Sequence, residues 1–260
     1  MDLYLRDKVA LVTGGSRGLG RAICLGLAAE GARVAVNYLR DPAQGIDLGD
    51  EAAELVKIIR AGYGVEAAAV AGNVASSSDV QEMFRQAESL LGPLDILVNN
   101  AGIWPTAYVR DMSEQEWNAT LAVNLTGPFL TCREAVRRWL DSGRKGRIVN
   151  ITSQAAFHGS TTGHAHYAAS KAGLVTFSIS LAREVAPYGI YVNCVAPGMM
   201  RTEMARQALE KHQREYLERI PLGRISDPAE VAAVVVFLAS ERASYITGAT
   251  IDVTGGMLMR

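Results

Sequence analysis

The chain of 260 residues carries 26 Lys and Arg against 27 Asp and Glu, a formal charge of −1, and 49% of it is hydrophobic. That balance excludes wholesale disorder and the strongly basic face of a nucleic-acid binder. Cys24, Cys132 and Cys194 are odd in number and widely spaced, which excludes a disulfide framework and suits small core residues.

In chain order, residues 1–8 place charges where a secretory signal needs an apolar stretch. No uncharged apolar run reaches 18 residues, so no membrane span is expected and the expected location is the cytoplasm. Val9–Val12 reads as a strand and 20–30 as a helix. Residues 33–36 form the next strand. Residues 40–50, with Pro42, Gly45 and Gly49, read as a surface loop before a helix at 51–60. Strand 65–70, helix 80–91, strand 96–98 and a long helix at 115–140 follow. Then come strand 148–151, helix 167–186, strand 190–195, a helical flap within 197–221, helix 229–240 and strand Thr250–Val253. Strands alternating with helices of this length imply βαβ units and a parallel sheet. Most strand runs lack polar alternation, as a sheet covered on both faces requires. No linker or repeat interrupts the pattern, so residues 1–260 read as one domain. Right-handed crossovers gather the strand C-termini along one edge, where such sheets bind ligands.

The first strand runs into Thr13, Gly14, Gly15, Ser16, Arg17, Gly18, Leu19 and Gly20, and then a helix. A glycine turn into a helix N-terminus is a phosphate cradle. Its spacing is Gly-x-x-x-Gly-x-Gly rather than the usual dinucleotide fingerprint. At the end of the second strand stand Asn37, Tyr38, Leu39 and Arg40. An acid there would accept the ribose 2′-hydroxyl of NAD. A neutral Asn37, with Arg17 and Arg40 able to pair with a phosphate dianion, favours NADP. Asp41 leaves NAD use open.

After the fifth strand come Thr152 and Ser153, then Tyr167 and Lys171 four apart on one helix face. A lysine ammonium favours a phenolate, which is expected to bring the tyrosine toward neutral pH as a proton donor and acceptor. His158, His164 and His166 lie between Ser153 and Tyr167, with no cysteine or carboxylate among them to complete a metal set. No metal is expected. Trp104 and Pro105 are candidates to flank a substrate.

With these motifs the chain resembles the short-chain dehydrogenase/reductase family along essentially its whole length. The resemblance rests on the segment 13–20, Asn99-Asn100-Ala101-Gly102, Asn124, Ser153, Tyr167-x-x-x-Lys171, Pro197-Gly198 with Thr202, and Asp252 to Gly256. It implies a single-domain Rossmann-like α/β three-layer sandwich, with seven parallel strands and helices on both faces. It further implies hydride transfer between nicotinamide and a ketone or secondary alcohol. In that reading Tyr167 passes the proton, Ser153 holds the reacting oxygen, Lys171 tunes Tyr167 and holds the ribose, and Asn124 holds a relay water. Gly14, Ser16, Arg17, Gly18, Leu19 and Gly20 would hold the diphosphate. Asn37, Tyr38, Arg40, Asn73, Val74, Asn100, Ala101 and Gly102 would meet the adenosine side. Pro197, Gly198 and Thr202 would meet the nicotinamide. Asn73 stands where the family often has Asp.

Within the family the sequence is most similar to 3-oxoacyl-acyl-carrier-protein reductases, through Leu181 to Ala186 and the ending at Gly255-Gly256-Met257. The basic stretch Arg144, Lys145 and Arg147 is a candidate for meeting an acidic carrier protein. Tyr188 stands where those enzymes often carry a basic residue. Ile103-Trp104-Pro105-Thr106 looks closer to sugar and polyol dehydrogenases of the glucose type. The 14-residue gap from Ser153 to Tyr167 is one longer than in many ketoacyl reductases. It places an insertion around 159–164, with Thr152 a rival for the serine role. A non-catalytic NADP-binding sensor is the alternative from another class. The resemblance implies a homotetramer, and Ala168, Ala169, Ala172 and Gly173 offer a face for close helix contact.

Overall fold

A computed structural model describes residues 2–41, 45–160 and 162–260. Met1 of the N-terminal reading and Pro42 of the expected loop lie outside the described residues. Among those described, nine strands and nine α-helices follow one another. They are β1 (Val9–Val12), α1 (Gly18–Ala29), β2 (Arg33–Tyr38), β3 (Arg40–Asp41), β4 (Ile46–Asp47), α2 (Gly49–Tyr63) and β5 (Ala67–Ala71). Next are α3 (Ser77–Leu91), β6 (Ile96–Asn99), α4 (Glu114–Leu121), α5 (Gly127–Asp141), β7 (Gly146–Ile151), α6 (Ala155–His158) and α7 (Ala165–Val185). The last are β8 (Ile190–Pro197), α8 (Arg206–Arg219), α9 (Pro228–Leu238) and β9 (Thr250–Val253).

Seven strands form one parallel sheet in the order β5-β2-β1-β6-β7-β8-β9. The order reverses beside β1, which puts a crevice at the C-terminal ends of β1 and β6. β1, β6 and β7 are buried along their whole length. Their side chains alternate between two apolar cores. Ala10 and Val12 join Ile23, Leu27, Leu55, Val231 and Val235 on one face. Val9 and Leu11 join Met83, Phe84, Trp139 and Val185 on the other. This is the three-layer sandwich implied by the sequence. The three cysteines are free and buried, and burial pushes each thiol up, so they are inert packing residues.

Several elements depart from the sequence reading. The 65–70 strand starts two residues later, at Ala67, because Ala67 pairs with Val34 at the start of β2. The 40–50 segment contains a short antiparallel pair, Arg40 with Asp47 and Asp41 with Ile46. The single helix expected over 115–140 is split by a π-turn, Ala122–Thr126. Pro128, in the first turn of α5, is the physical reason: it has no N–H to donate to the Asn124 carbonyl, so regular α-helical pairing is impossible there.

Among the described residues, no helix is long and apolar enough to cross a membrane.

Candidate active site

The crevice begins at the glycine turn. Gly14 and Gly18 have φ of 59° and 54°, the left-handed region that favours glycine. A side chain on Gly20 would overlap the Gly14 carbonyl and sit 2.6 Å from the Asn100 amide. Helices α3, α4 and α9 have side-chain caps at Ser76, Ser113 and Asp227. Helix α1 has no side-chain cap and no acid in its first turn. Its first N–H groups are therefore left facing the crevice, where a diphosphate fits. Gly20→Ala is expected to lower NADPH affinity by at least about tenfold, read by fluorescence titration. Unchanged affinity would rule out this cradle.

Thr13 organises the turn, and the sequence reading assigned it no individual role. Its hydroxyl accepts the N–H groups of Asn100 and Ala101, both at 3.0 Å. The Asn100 amide in turn donates to the Thr13 and Gly14 carbonyls at 3.0 Å each. A small hydroxyl residue at a strand end, one residue before the first glycine, was the available signal. Ser16 is buried and Leu19 packs into the core, so both brace the turn.

Asn37 is corrected by the structure. It is buried, its Oδ1 accepts from Gly14 N–H at 3.0 Å, and its amide donates to the Val70 and Gly72 carbonyls. The side chain ties β2 to the glycine turn and is not presented to a ribose. Tyr38 and Arg40 remain at the strand end. Arg40 pairs with Asp47 at 3.3 Å and Arg17 with Glu203 at 3.4 Å, all with exposed side chains. Such surface pairs are worth at most about 1 kcal/mol, so a phosphate dianion can compete for either arginine. Asn73 caps its own turn, accepting from Ala75 N–H at 2.9 Å, and Val74 packs against Gly127. Gly198 donates to the Val253 carbonyl at 3.0 Å, holding the end of β8 at the crevice beside Pro197. Thr202 lies over Gly18, so the flap segment starts across the glycine turn. The flap contains α8, kinked at His212. Met204 is 56% exposed and no residue of α8 is fully buried, so the flap is only half covered.

Across the crevice, α7 presents Tyr167 and Lys171 one turn apart, with the Lys171 ammonium 5.8 Å from the Tyr167 ring centre. Lys171 is buried, and its ammonium donates to the Ile151 carbonyl at 2.8 Å. Burial pushes it down to about 8. Burial also pushes the Tyr167 hydroxyl above its ordinary value, against the pull of a hydrogen bond with Ser153. The downward shift expected from Lys171 is therefore not found: desolvation of the phenolate dominates, and Ser153 supplies the opposing pull.

Thr152 is removed as a rival to Ser153. Its buried hydroxyl donates to the Lys171 carbonyl at 2.9 Å and anchors α7 to β7. Asn124, in the π-turn, is fully buried. Its Oδ1 accepts from Ile103 N–H and its amide donates to the Ile103 carbonyl, each at 2.9 Å. The side chain therefore positions the 99–103 loop. A side chain on Gly102 would stand 3.2 Å from Asn124 Oδ1 and 3.7 Å from Lys171 Nζ, so glycine lets the two approach.

The inserted loop docks beside Tyr167. Ala107 N–H donates to the Gly163 carbonyl at 2.8 Å. His164 is buried, with Nδ1 2.8 Å from the Pro105 carbonyl and its ring 4.6 Å from that of Trp104. Trp104 is itself 6.3 Å from the Tyr167 ring. Trp104 and His164 thus form an aromatic wall at the reacting group. His158 is exposed and His166 buried. Among the described residues, no group of three His, Cys, Asp or Glu is placed to hold a metal.

The basic stretch Arg144 to Arg147 is also corrected. It begins β7, at the opposite edge of the sheet from Ser153. Arg144 pairs with Asp95 at 2.9 Å and Arg147 is buried against Glu241. Six strand residues, about 20 Å, separate it from the crevice. It cannot guide a carrier-borne chain to Tyr167.

A family model described as Enoyl-(Acyl carrier protein) reductase matches residues 14–258. A 3-oxoacyl-[acyl-carrier-protein] reductase FabG of Aquifex aeolicus is 43% identical over 257 residues, covering 99% of this chain and all of the relative. A protein of the same name from Staphylococcus epidermidis is 43% identical over 253 residues, covering 97% of this chain and all of the relative. The crystal structure of a short-chain type dehydrogenase/reductase from Mycobacterium marinum superposes with a TM-score of 0.91 at 35% identity, over 100% of this chain and 99% of the other. The chain belongs to the short-chain dehydrogenase/reductase family. It is accordingly an oxidoreductase that uses a nicotinamide cofactor, and the glycine turn, the uncapped α1 and the Tyr167–Lys171 pair fit that group.

Proposed function

We propose that the protein reduces 3-oxoacyl thioesters with NADPH, as one catalytic domain spanning residues 1–260. The observation that carries the reading is that the Tyr167 hydroxyl on α7, one turn from the buried Lys171, lies within the pull of the Ser153 hydroxyl. Two hydroxyls that converge on one point suit a carbonyl oxygen on which negative charge develops. The family model is described as an enoyl reductase, a reaction at a carbon–carbon double bond. The hydroxyl pair and the names of the relatives favour the ketone.

When bound, the nicotinamide supplies the hydride. Ser153 donates to the carbonyl oxygen, and Tyr167 gives that oxygen its proton. The Lys171 ammonium sits beneath the Tyr167 ring. Arg17 and Arg40 would meet the adenosine phosphate. Replacing both by alanine is expected to weaken NADPH by about 1.5–3 kcal/mol per lost charge-assisted contact and to leave NADH within about twofold. Equal loss for both cofactors would place the phosphate elsewhere.

The substrate test follows NADPH absorbance with a short 3-oxoacyl thioester. Turnover supports the reading. NADPH binding without turnover favours a second reading, a sugar or polyol dehydrogenase, which the Trp104–His164 wall supports because aromatic faces suit ring-shaped substrates. Binding without turnover of any ketone or polyol would leave the sensor reading. In the first reading the acyl chain arrives on a carrier protein at the flap side of the crevice, away from Arg144.

The same proposal includes a homotetramer in the cytoplasm. Exposed Phe129 of α5 meets Phe177 of α7 edge-on at 6.1 Å, beside Ala169 and Ala172, an apolar strip suited to a second copy. Three free cysteines are what a reducing compartment maintains.

A further inference from the structure

The edge of the sheet opposite the crevice, where the strands begin, holds a second concave site. β7 starts there at Gly146 and Arg147, close to Lys8 ahead of β1 and Asp95 ahead of β6. A cavity of about 330 Å³ is lined by Lys8, Asp95, Arg144, Lys145, Arg147 and Glu241 among others. Four cations face two carboxylates, a surplus of two positive charges. Arg147 is only 7% exposed. Its Nη2 donates to Glu241 at 3.0 Å and its guanidinium lies 4.6 Å from the Tyr191 ring centre. Among the described residues, its buried Nη1 has no hydrogen-bond partner. Arg144 repeats the pattern: Nη2 donates to Asp95 at 2.9 Å, while its buried Nε has no hydrogen-bond partner among the described residues. The Asp95 carboxylate is already shared between Arg144 and the Val9 N–H, with Lys8 at 4.0 Å. Buried donors are normally matched by acceptors, and two guanidinium groups each hold one donor unmatched around the same cavity.

We propose that this cavity binds a small oxyanion, a phosphate or phosphate monoester, separately from the dinucleotide crevice. Guanidinium forks suit phosphate oxygens in geometry as well as charge. A phosphate dianion would balance the two surplus charges. The volume lies at the small end of the range for small-molecule sites, about 300–1,000 Å³. Reduction at Tyr167 makes no use of this edge.

The test is calorimetric titration of the full chain with inorganic phosphate in chloride buffer, repeated with glycerol 3-phosphate. Saturable binding of one phosphate per chain is expected. Lys145 is exposed, so Lys145→Glu should fold normally. It is expected to weaken binding at least about tenfold, with Lys8→Gln as an independent second variant. Arg17→Ala, which alters the dinucleotide crevice, should bind phosphate as the wild type does. Tighter binding of the ester identifies an organic phosphate as the ligand, and equal binding identifies free phosphate. No saturable binding overturns the proposal. So does binding that is lost in Arg17→Ala but kept in Lys145→Glu and Lys8→Gln.

Discussion

Replacing Tyr167 by phenylalanine is expected to lower kcat at least about 10²-fold, the lower end of what a positioned proton donor contributes, while NADPH affinity stays within about twofold. The variant keeps the ring that faces Trp104 at 6.3 Å and Lys171 at 5.8 Å, so packing and the cofactor crevice are preserved. Only the hydroxyl is lost. With it go the proton and the hydrogen bond to Ser153 that pulls against burial. A fall in kcat with unchanged cofactor binding is the mark of an interaction made in the transition state. Ser153→Ala should cost less, because it removes a stabilising donor and leaves the proton in place. Single-turnover measurement with a 3-oxoacyl thioester checks both. If Tyr167→Phe turns over within tenfold of the wild type, another group donates the proton. With Thr152 committed to the Lys171 carbonyl, Ser153 would then be the hydroxyl at that strand end to test as the donor.

Local pattern carried the fold because the central strands β1, β6 and β7 are buried on both faces. A short apolar run such as Val9–Val12 leaves little else to form, and both it and Thr250–Val253 have the expected bounds. The i, i+4 spacing placed Tyr167 and Lys171 on one helix face for the same reason. What the sequence hid depended on partners far along the chain. Asn37 has the right polarity for a ribose, yet its amide is taken by Gly14, Val70 and Gly72. Arg144 and Arg147 form a basic cluster by sequence, but the strand between them and Ser153 sets them at the wrong edge. Asn124 reads by sequence as a water holder on one long helix, with a helix bend as the plainer alternative, and it lies in the π-turn that splits that helix. The missing N–H of Pro128, four residues on, was the available sign of the π-turn.

The pKa of Tyr167 needed burial as well as proximity to a lysine. Proximity is legible from spacing, but desolvation is not. This distinction sets the pH dependence. Tyr167 stays protonated through its ordinary range, so in the reducing direction it does not limit the rate near pH 8. The group that titrates there is Lys171.

Activity of the wild type is expected to fall above about pH 8, the value to which burial pushes Lys171. The relevant quantity is kcat/KM for NADPH, which reports groups of the cofactor-free protein. Lys171→Met should lower turnover and remove that limb. Stability moves the other way. Lys171 has an ordinary value of 10.5 and about 8 when folded. Between those values the unfolded chain binds more protons, so stability rises with pH. Below pH 8 both states carry the charge, and burying it costs about 3 kcal/mol. Above about 10.5 both are neutral and that cost is gone. Lys171→Met avoids the cost at every pH while keeping a long side chain in the buried slot. It should therefore unfold at higher denaturant than the wild type at pH 7, with the gap closing as pH rises from 8 to 10.5. A gap that stays constant across that window would mean that Lys171 is not held against its charge. An activity profile flat to pH 10 would remove Lys171 from control of the reaction. The two measurements separate a lysine that serves the chemistry from one that merely fills space: only the first is expected to weaken the fold and still be needed for turnover.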